Sequence, residues 1–194
     1  MEESTNMKKD RLIKVAQIGE EHAATALTSL FKQAVEIKTS YVDLVRGSVT
    51  KDIVGTIEKN SVIAYMDVLT GLSGVTFLTL SRPDALHMVD LLNARDSGTT
   101  QTLQELDRSA VREVLNIISN SYITQVAQHL DKSVIMNVPR LITSPALFDM
   151  LDKSLWSSRD WVALFKTNMS IGEVEYQIHV YFFFVAQEDS GEIN

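Results

Sequence analysis

Three polar side chains on one stretch of the sequence are spaced to act together. Glu113, Asn116 and Asn120 are separated by three and then four residues, so on a helix they share one face, a turn apart. A carboxylate one turn from a carboxamide pairs an acceptor that can hold a cation with a group that both donates and accepts. Such a pair can orient a water molecule. The same spacing also fits a solvated helix face, and spacing alone leaves both readings open. A second set, Lys14, Gln17 and Glu21, repeats the pattern earlier in the chain with a cation in the first position.

Other chemistries are poorly supplied. The chain has no cysteine, which excludes a thiol nucleophile, a disulfide framework and Cys-ligated zinc or iron–sulfur sites. His22, His87, His129 and His179 lack ligand spacing, and helix packing or capping is the expected role of His22. No HExxH, P-loop or GxSxG motif occurs. Lys+Arg 18 against Asp+Glu 25 gives −7, the wrong sign for a nucleic-acid binder. Lys8, Lys9 and Arg11 are too few to anchor a membrane. No apolar run approaches the ~18 residues of a membrane span, and the first residues lack a signal peptide's apolar core. A cytoplasmic protein is expected, and 194 residues fit one domain.

The elements that must carry these residues follow from periodicity. Leu12, Val15, Gly19, Ala23, Ala26, Leu27, Leu30 and Ala34 mark one face of a helix over about 8–34. Residues 35–45 read as extended. Residues 61–69 and 74–80 read as a hairpin. Ser81-Arg82-Pro83-Asp84 carries helix-start chemistry, with Pro83 in the first turn and Asp84 at the positive end of the dipole. That helix ends near 93, and 94–100 reads as a surface linker. A second long helix spans about 103–130, with Leu106, Ala110, Val111, Val114, Ile117, Ile118 and Val126 inward. Residues 134–142 are extended around Pro139, 145–151 form a short helix, and strands over 161–169 and 175–185 follow. The run IHVYFFFV carries no charge after His179 and is too apolar for an exposed edge strand.

One offset relates the two long helices. Adding 99 takes Leu12 to Val111, Val15 to Val114, Ile18 to Ile117, Leu27 to Val126 and Phe31 to Leu130. The offset continues into the next strand, where Val35, Ile37 and Val42 meet Val134, Met136 and Leu141. Any two amphipathic helices align at some offset. Carrying one offset across a helix-to-strand switch favours duplication. The expectation is an α+β, internally duplicated domain over 8–185, with two long helices packed on one face of a largely antiparallel sheet. Repeat 1 covers about 8–95 and repeat 2 about 103–185, with flexible ends at 1–7 and 186–194.

The two helices also carry a resemblance. VREVLNIISNSYITQVA (111–127) is similar to the signature of the CheC/CheX/FliY family of chemotaxis phosphatases: a Glu, two residues, an Asn, then Ser-Tyr and a turn of small residues. LIKVAQIGEEHAATALTSL (12–30) resembles the family's first copy, most clearly at Ile18-Gly19 and His22-Ala23-Ala24-Thr25-Ala26-Leu27. The hairpin and helix GVTFLTLSRPDALHMVDLL (74–92) are family-like as well. The likeness spans about 8–185 and is nearest to CheC. Lys14 stands where the family's first copy has Glu, Gln17 where it has Asn, and Gly19-Glu20-Glu21 replaces its Gly-Ala-Gly.

The resemblance implies a phosphatase acting on the phospho-aspartate of a CheY-like response regulator. The regulator supplies Mg²⁺ and a lysine, so the phosphatase needs no cofactor of its own and works by positioning an attacking water. By that analogy Asn116 orients the water and Glu113 pairs with the regulator's lysine. Lys14 and Gln17 mark a degenerate second site, since Lys14 sets a like charge against that lysine. A CheD-like deamidase is a further partner the resemblance allows. The competing reading is a non-catalytic adaptor that binds a response regulator, a CheD-like deamidase or the flagellar switch.

Overall fold

The first thirty residues contain no proline, and from Val15 onward their small and apolar side chains return every three or four positions. In the computed structural model they form helix α1 (Glu2–Phe31), which buries Val15, Ala16, Gly19, Ala23, Leu27 and Phe31. The helix begins ahead of the start expected at 8. Residues 2–7 lack an apolar stripe that would have revealed it, but nothing in them breaks a helix. Ala26 and Leu30, expected inward, are exposed. The structure describes residues 2–46, 60–70, 73–129, 131, 133–142, 146–147, 161–176 and 178–186, with isolated positions at 52, 55 and 57. Apart from 146–147, the expected helix at 145–151 lies outside the described residues, as do Leu130 and 187–194.

Two further helices follow the expected start chemistry. Helix α2 (Arg82–Leu92) is capped by Ser81, whose hydroxyl oxygen accepts the main-chain N–H of Asp84 at 3.1 Å, with Pro83 in the first turn. Helix α3 (Glu105–His129) has Asp107 in its first turn, and that carboxylate accepts the N–H of Gln104 at 2.9 Å. The linker between them is anchored. Buried Asp90 accepts the N–H groups of Gly98 and Thr100 at 2.8 and 2.9 Å, while Arg95 donates to Asp107 at 2.9 Å. Leu106, expected inward, is 65% exposed. It lies in the first turn, a full 100° from the stripe that runs through Asp107, Val111, Val114 and Ile118.

The strands are β1 (Val35–Arg46), β2 (Val62–Thr70), β3 (Ser73–Leu80), β4 (Ile135–Met136), β5 (Arg140–Ile142), β6 (Trp161–Ile171), β7 (Val174–Tyr176) and β8 (His179–Ala186). All pair antiparallel in one sheet of order β1-β6-β8-β3-β2-β4, with β5 also on β2 and β7 also on β6. The fold is α+β, as expected. The single strand expected over 175–185 is divided, because the Ile178 N–H donates to the Tyr176 carbonyl at 2.8 Å instead of to the ladder. Gly172, at φ +58°, makes the tight turn between β6 and β7.

The charge-free run in β8 is explained by its place. It lies between β6 and β3, covered on both faces. Val180 and Phe182 join Ala64, Met66, Leu78 and the inner sides of the helices in one core. Tyr181 and Phe183 join Ile63, Tyr65, Val75, Phe77 and Leu147 in a second core on the opposite face. Alternation along each strand therefore feeds two hydrophobic layers. Leaving β7 aside, the sheet order also maps onto itself when β1 exchanges with β4 and β5, β6 with β2, and β8 with β3.

Helices α1 and α3 meet at Gly19. A Cβ placed there would lie 3.0 Å from Cγ and 3.1 Å from Cα of Tyr122. This glycine supplies closeness, since its backbone is helical. Gly19→Leu should lower unfolding stability by about 2–3 kcal/mol through overpacking, measured as a fall in the urea midpoint. An unchanged midpoint would mean the helices do not cross this closely.

Candidate functional site

The outward face of α3 is set by what its inner face buries. Val111, Val114, Leu115, Ile118 and Tyr122 point into the core, which leaves Glu113, Asn116 and Asn120 on the other side. Glu113 is exposed and has no hydrogen bond or ion pair among the described residues. Asn116 is half-buried beside it. Asn120 is exposed, and its Nδ2 donates to the main-chain oxygen of Asn116 at 2.8 Å and to Asn116 Oδ1 at 2.9 Å. Arg112, next in sequence to Glu113, is held elsewhere. Its guanidinium donates to Glu105 at 2.7 Å and to Ser109 at 2.8 Å. That contact lowers the Glu105 carboxyl below its ordinary range and leaves the Glu113 carboxylate free to meet an external cation.

The corresponding residues of α1 are arranged differently. Lys14, Gln17 and Glu21 are all exposed, and none bonds another. Gln17 lines a shallow cavity of about 460 Å³ between α1 and β1, with Ile13, Glu20 and Tyr41. Glu20 is structural there. Its Oε1 accepts the Thr39 N–H at 2.7 Å, beside the register shift between Thr39 and Tyr41 where β1 breaks step with β6. His22 packs across the helix pair, with Nδ1 3.2 Å from Gln125 Nε2, in keeping with its expected helix-packing role. Among the described residues no group of three His, Asp or Glu is placed to hold a metal, and no helix is long and apolar enough to cross a membrane.

Spacing gave no reason to single out Tyr122, although it stands in the Ser-Tyr pair after the asparagines. Its ring is 1% exposed, stacks on Phe182 with centroids 4.9 Å apart and meets Phe165 edge-on at 6.3 Å. Its hydroxyl lies 3.1 Å from Thr39 Oγ1 and 3.4 Å from Thr167 Oγ1, and those two threonines are 3.2 Å apart. Tyr122 thus ties α3 to β1 and β6 within two turns of Asn116. Burial pushes its phenol up to about 12.

No protein-family model matches the chain. The flagellar motor switch phosphatase FliY of Bacillus subtilis is 28% identical over 125 residues, which is 64% of this chain and 32% of that protein. The chain therefore spans about a third of the length of that relative. Among solved structures, Thermotoga maritima FliY superposes with a TM-score of 0.70 at 19% identity, over 92% of this chain and 90% of that one. The FliG–FliM complex of H. pylori gives 0.70 at 8% identity, over 91% and 93%. The CheX–CheY–BeF3–Mg²⁺ complex of Borrelia burgdorferi gives 0.55 at 15% identity, over 89% and 98%. The fold is thus one shared by FliY, FliM and CheX. The sequence likeness to a FliY and the shared fold support the resemblance to the CheC/CheX/FliY family. The sequence reading set it nearest CheC, whereas the relative described above is a FliY.

Removing the Tyr122 hydroxyl while keeping its ring tests this anchoring. Tyr122→Phe should cost about 1 kcal/mol of unfolding free energy, since the two threonines can still bond each other. The neutral phenol stabilises the fold fully below its unfolded value near 10, and that contribution disappears as pH rises toward 12. Denaturant melts across this window should show a shallower alkaline decline in Tyr122→Phe than in the wild type.

Proposed function

We propose that this chain is a phosphatase of a phosphorylated CheY-like response regulator, with Glu113 and Asn116 of α3 as its working pair. The observation that carries the reading is a carboxylate without a partner among the described residues, exposed one turn from a carboxamide on an outward helix face. A relative named a motor switch phosphatase and a structural neighbour solved with CheY support it. Glu113 pairs with a lysine of the regulator and sets the docking angle. Asn116 enters the regulator's site and orients a water in line with phosphorus, which is positioning catalysis. The water's oxygen bonds phosphorus, the bond to the aspartyl oxygen breaks, and the proton leaves with inorganic phosphate. In this scheme Mg²⁺ comes with the regulator. The cytoplasm is the compartment in which this reaction occurs.

Lys14 and Gln17 form a weak or inactive second site in this scheme. Gln17 keeps a carboxamide, one methylene longer than Asn, but Lys14 repels the lysine that Glu113 attracts. The two sites descend from a duplicated unit, which the self-mapping order of the sheet supports.

A second reading has its own observation. The altered α1 motif and the likeness to FliM fit an adaptor that binds a regulator, a CheD-like deamidase or the flagellar switch without hydrolysis. Phosphate release from a phosphorylated regulator, with Mg²⁺ and with chelator, separates the two. The phosphatase reading predicts faster Mg²⁺-dependent release when the chain is added, whereas binding without acceleration means the adaptor. Glu113→Lys should weaken binding to the regulator about tenfold, roughly 1.4 kcal/mol, read by titration calorimetry. Unchanged affinity would remove Glu113 from the docking surface.

A further inference from the structure

The contact between Asn120 and Asn116 determines more than local packing. A main-chain carbonyl can only accept, so the end of Asn120 that lies 2.8 Å from the Asn116 carbonyl is its amide nitrogen. The second hydrogen on that nitrogen needs an acceptor, and Asn116 supplies its Oδ1 at 2.9 Å. The orientation of both carboxamides follows from one carbonyl that cannot be reversed. Asn116 Nδ2 is left without a partner among the described residues, and Oδ1 keeps one lone pair.

We propose that Asn120 is a positioning residue, which holds the Asn116 carboxamide with its amide nitrogen presented to the ligand and one Oδ1 lone pair in reserve. The inference rests on the phosphatase reading of Asn116. In that setting Nδ2 donates to a phosphoryl oxygen, and the free Oδ1 lone pair accepts a hydrogen of the attacking water, so the water's own lone pair faces phosphorus. The carboxamide is ordered before the regulator arrives. A side chain that need not be immobilised as the transition state forms spares a cost equivalent to about two- to tenfold in rate. The first helix has no such device. Glu21, one turn beyond Gln17, can accept but has no hydrogen to donate when ionised, and it makes no bond to Gln17. The two sites therefore differ in preorganisation as well as in the Lys14 charge.

Two variants of the full chain test this. Asn120→Ala removes both bonds and favours the helix. Asn120→Asp keeps the shape but can only accept, so it draws Asn116 Nδ2 inward and turns Oδ1 out. With saturating chain, decay of the phosphorylated regulator should slow about two- to tenfold in Asn120→Ala and at least as much in Asn120→Asp. The dissociation constant for the beryllofluoride-activated regulator should stay within twofold in Asn120→Ala. In the free chain, the side-chain amide resonance of Asn116, assigned by its loss in Asn116→Ala, should shift in both variants. Wild-type decay in Asn120→Ala, or a loss of affinity at unchanged saturated rate, overturns the positioning role. An Asn116 resonance unmoved by Asn120→Ala overturns the contact itself. Should the wild type accelerate no decay at all, the phosphatase reading fails, and the catalytic part of the inference fails with it, whatever the resonance does.

Discussion

The approach of α1 to α3 at Gly19 and Tyr122 is the constraint from which the rest of the architecture follows. With no side chain at Gly19, α1 approaches the Tyr122 backbone and ring directly, and that ring stacks on Phe182 of the sheet. Its hydroxyl then meets Thr39 of β1 and Thr167 of β6, neighbours in the ladder that come from opposite halves of the chain. A single side chain thus joins both helices to both halves of the sheet. Because that contact fixes the rotation of α3 about its axis, it also decides that Glu113, Asn116 and Asn120 face outward. A polar helix face acquires a defined direction only when the apolar face beneath it is immobile.

Periodicity made the elements legible. The three- and four-residue spacing in both long helices, the Ser81-to-Asp84 start of α2 and the apolar run of β8 all appear in the structure close to where the sequence puts them. Met66 and Met88, on the apolar sides of β2 and α2, are fully buried. The strand order was not legible, since pairing β1 with β6 joins residues more than a hundred positions apart and no local pattern encodes it. The division between β7 and β8 escaped as well, because one main-chain bond at Ile178 causes it and the side chains continue to alternate. Leu106 was misplaced because an apolar residue in a helix's first turn satisfies the spacing while lying beyond the surface that the helix covers.

The candidate site was legible as residue types and only partly as geometry. The face shared by Glu113, Asn116 and Asn120 follows from spacing, and the structure keeps it. The bond from Asn120 to Asn116 does not follow from spacing, because two asparagines a turn apart can equally face water. It needs the rotamers. Likewise Glu20 and Glu21 are adjacent in sequence, yet one is committed to the Thr39 N–H beside the irregular step of β1 and the other is free on the surface. The two helix faces thus differ in supporting contacts as well as in the motif positions. The α1 face carries a cation and an unclamped carboxamide, whereas the α3 face carries an unpaired carboxylate and a fixed carboxamide.

The central claim is that hydrolysis belongs to α3 and not to α1. Its most direct test is a single-turnover decay of phospho-aspartate on a CheY-like regulator, run side by side with Asn116→Ala and Gln17→Ala of the full chain. The account predicts that Asn116→Ala returns decay to the regulator's own unassisted rate, while Gln17→Ala decays phosphate as fast as the wild type. Undiminished decay with Asn116→Ala and slowed decay with Gln17→Ala would contradict it.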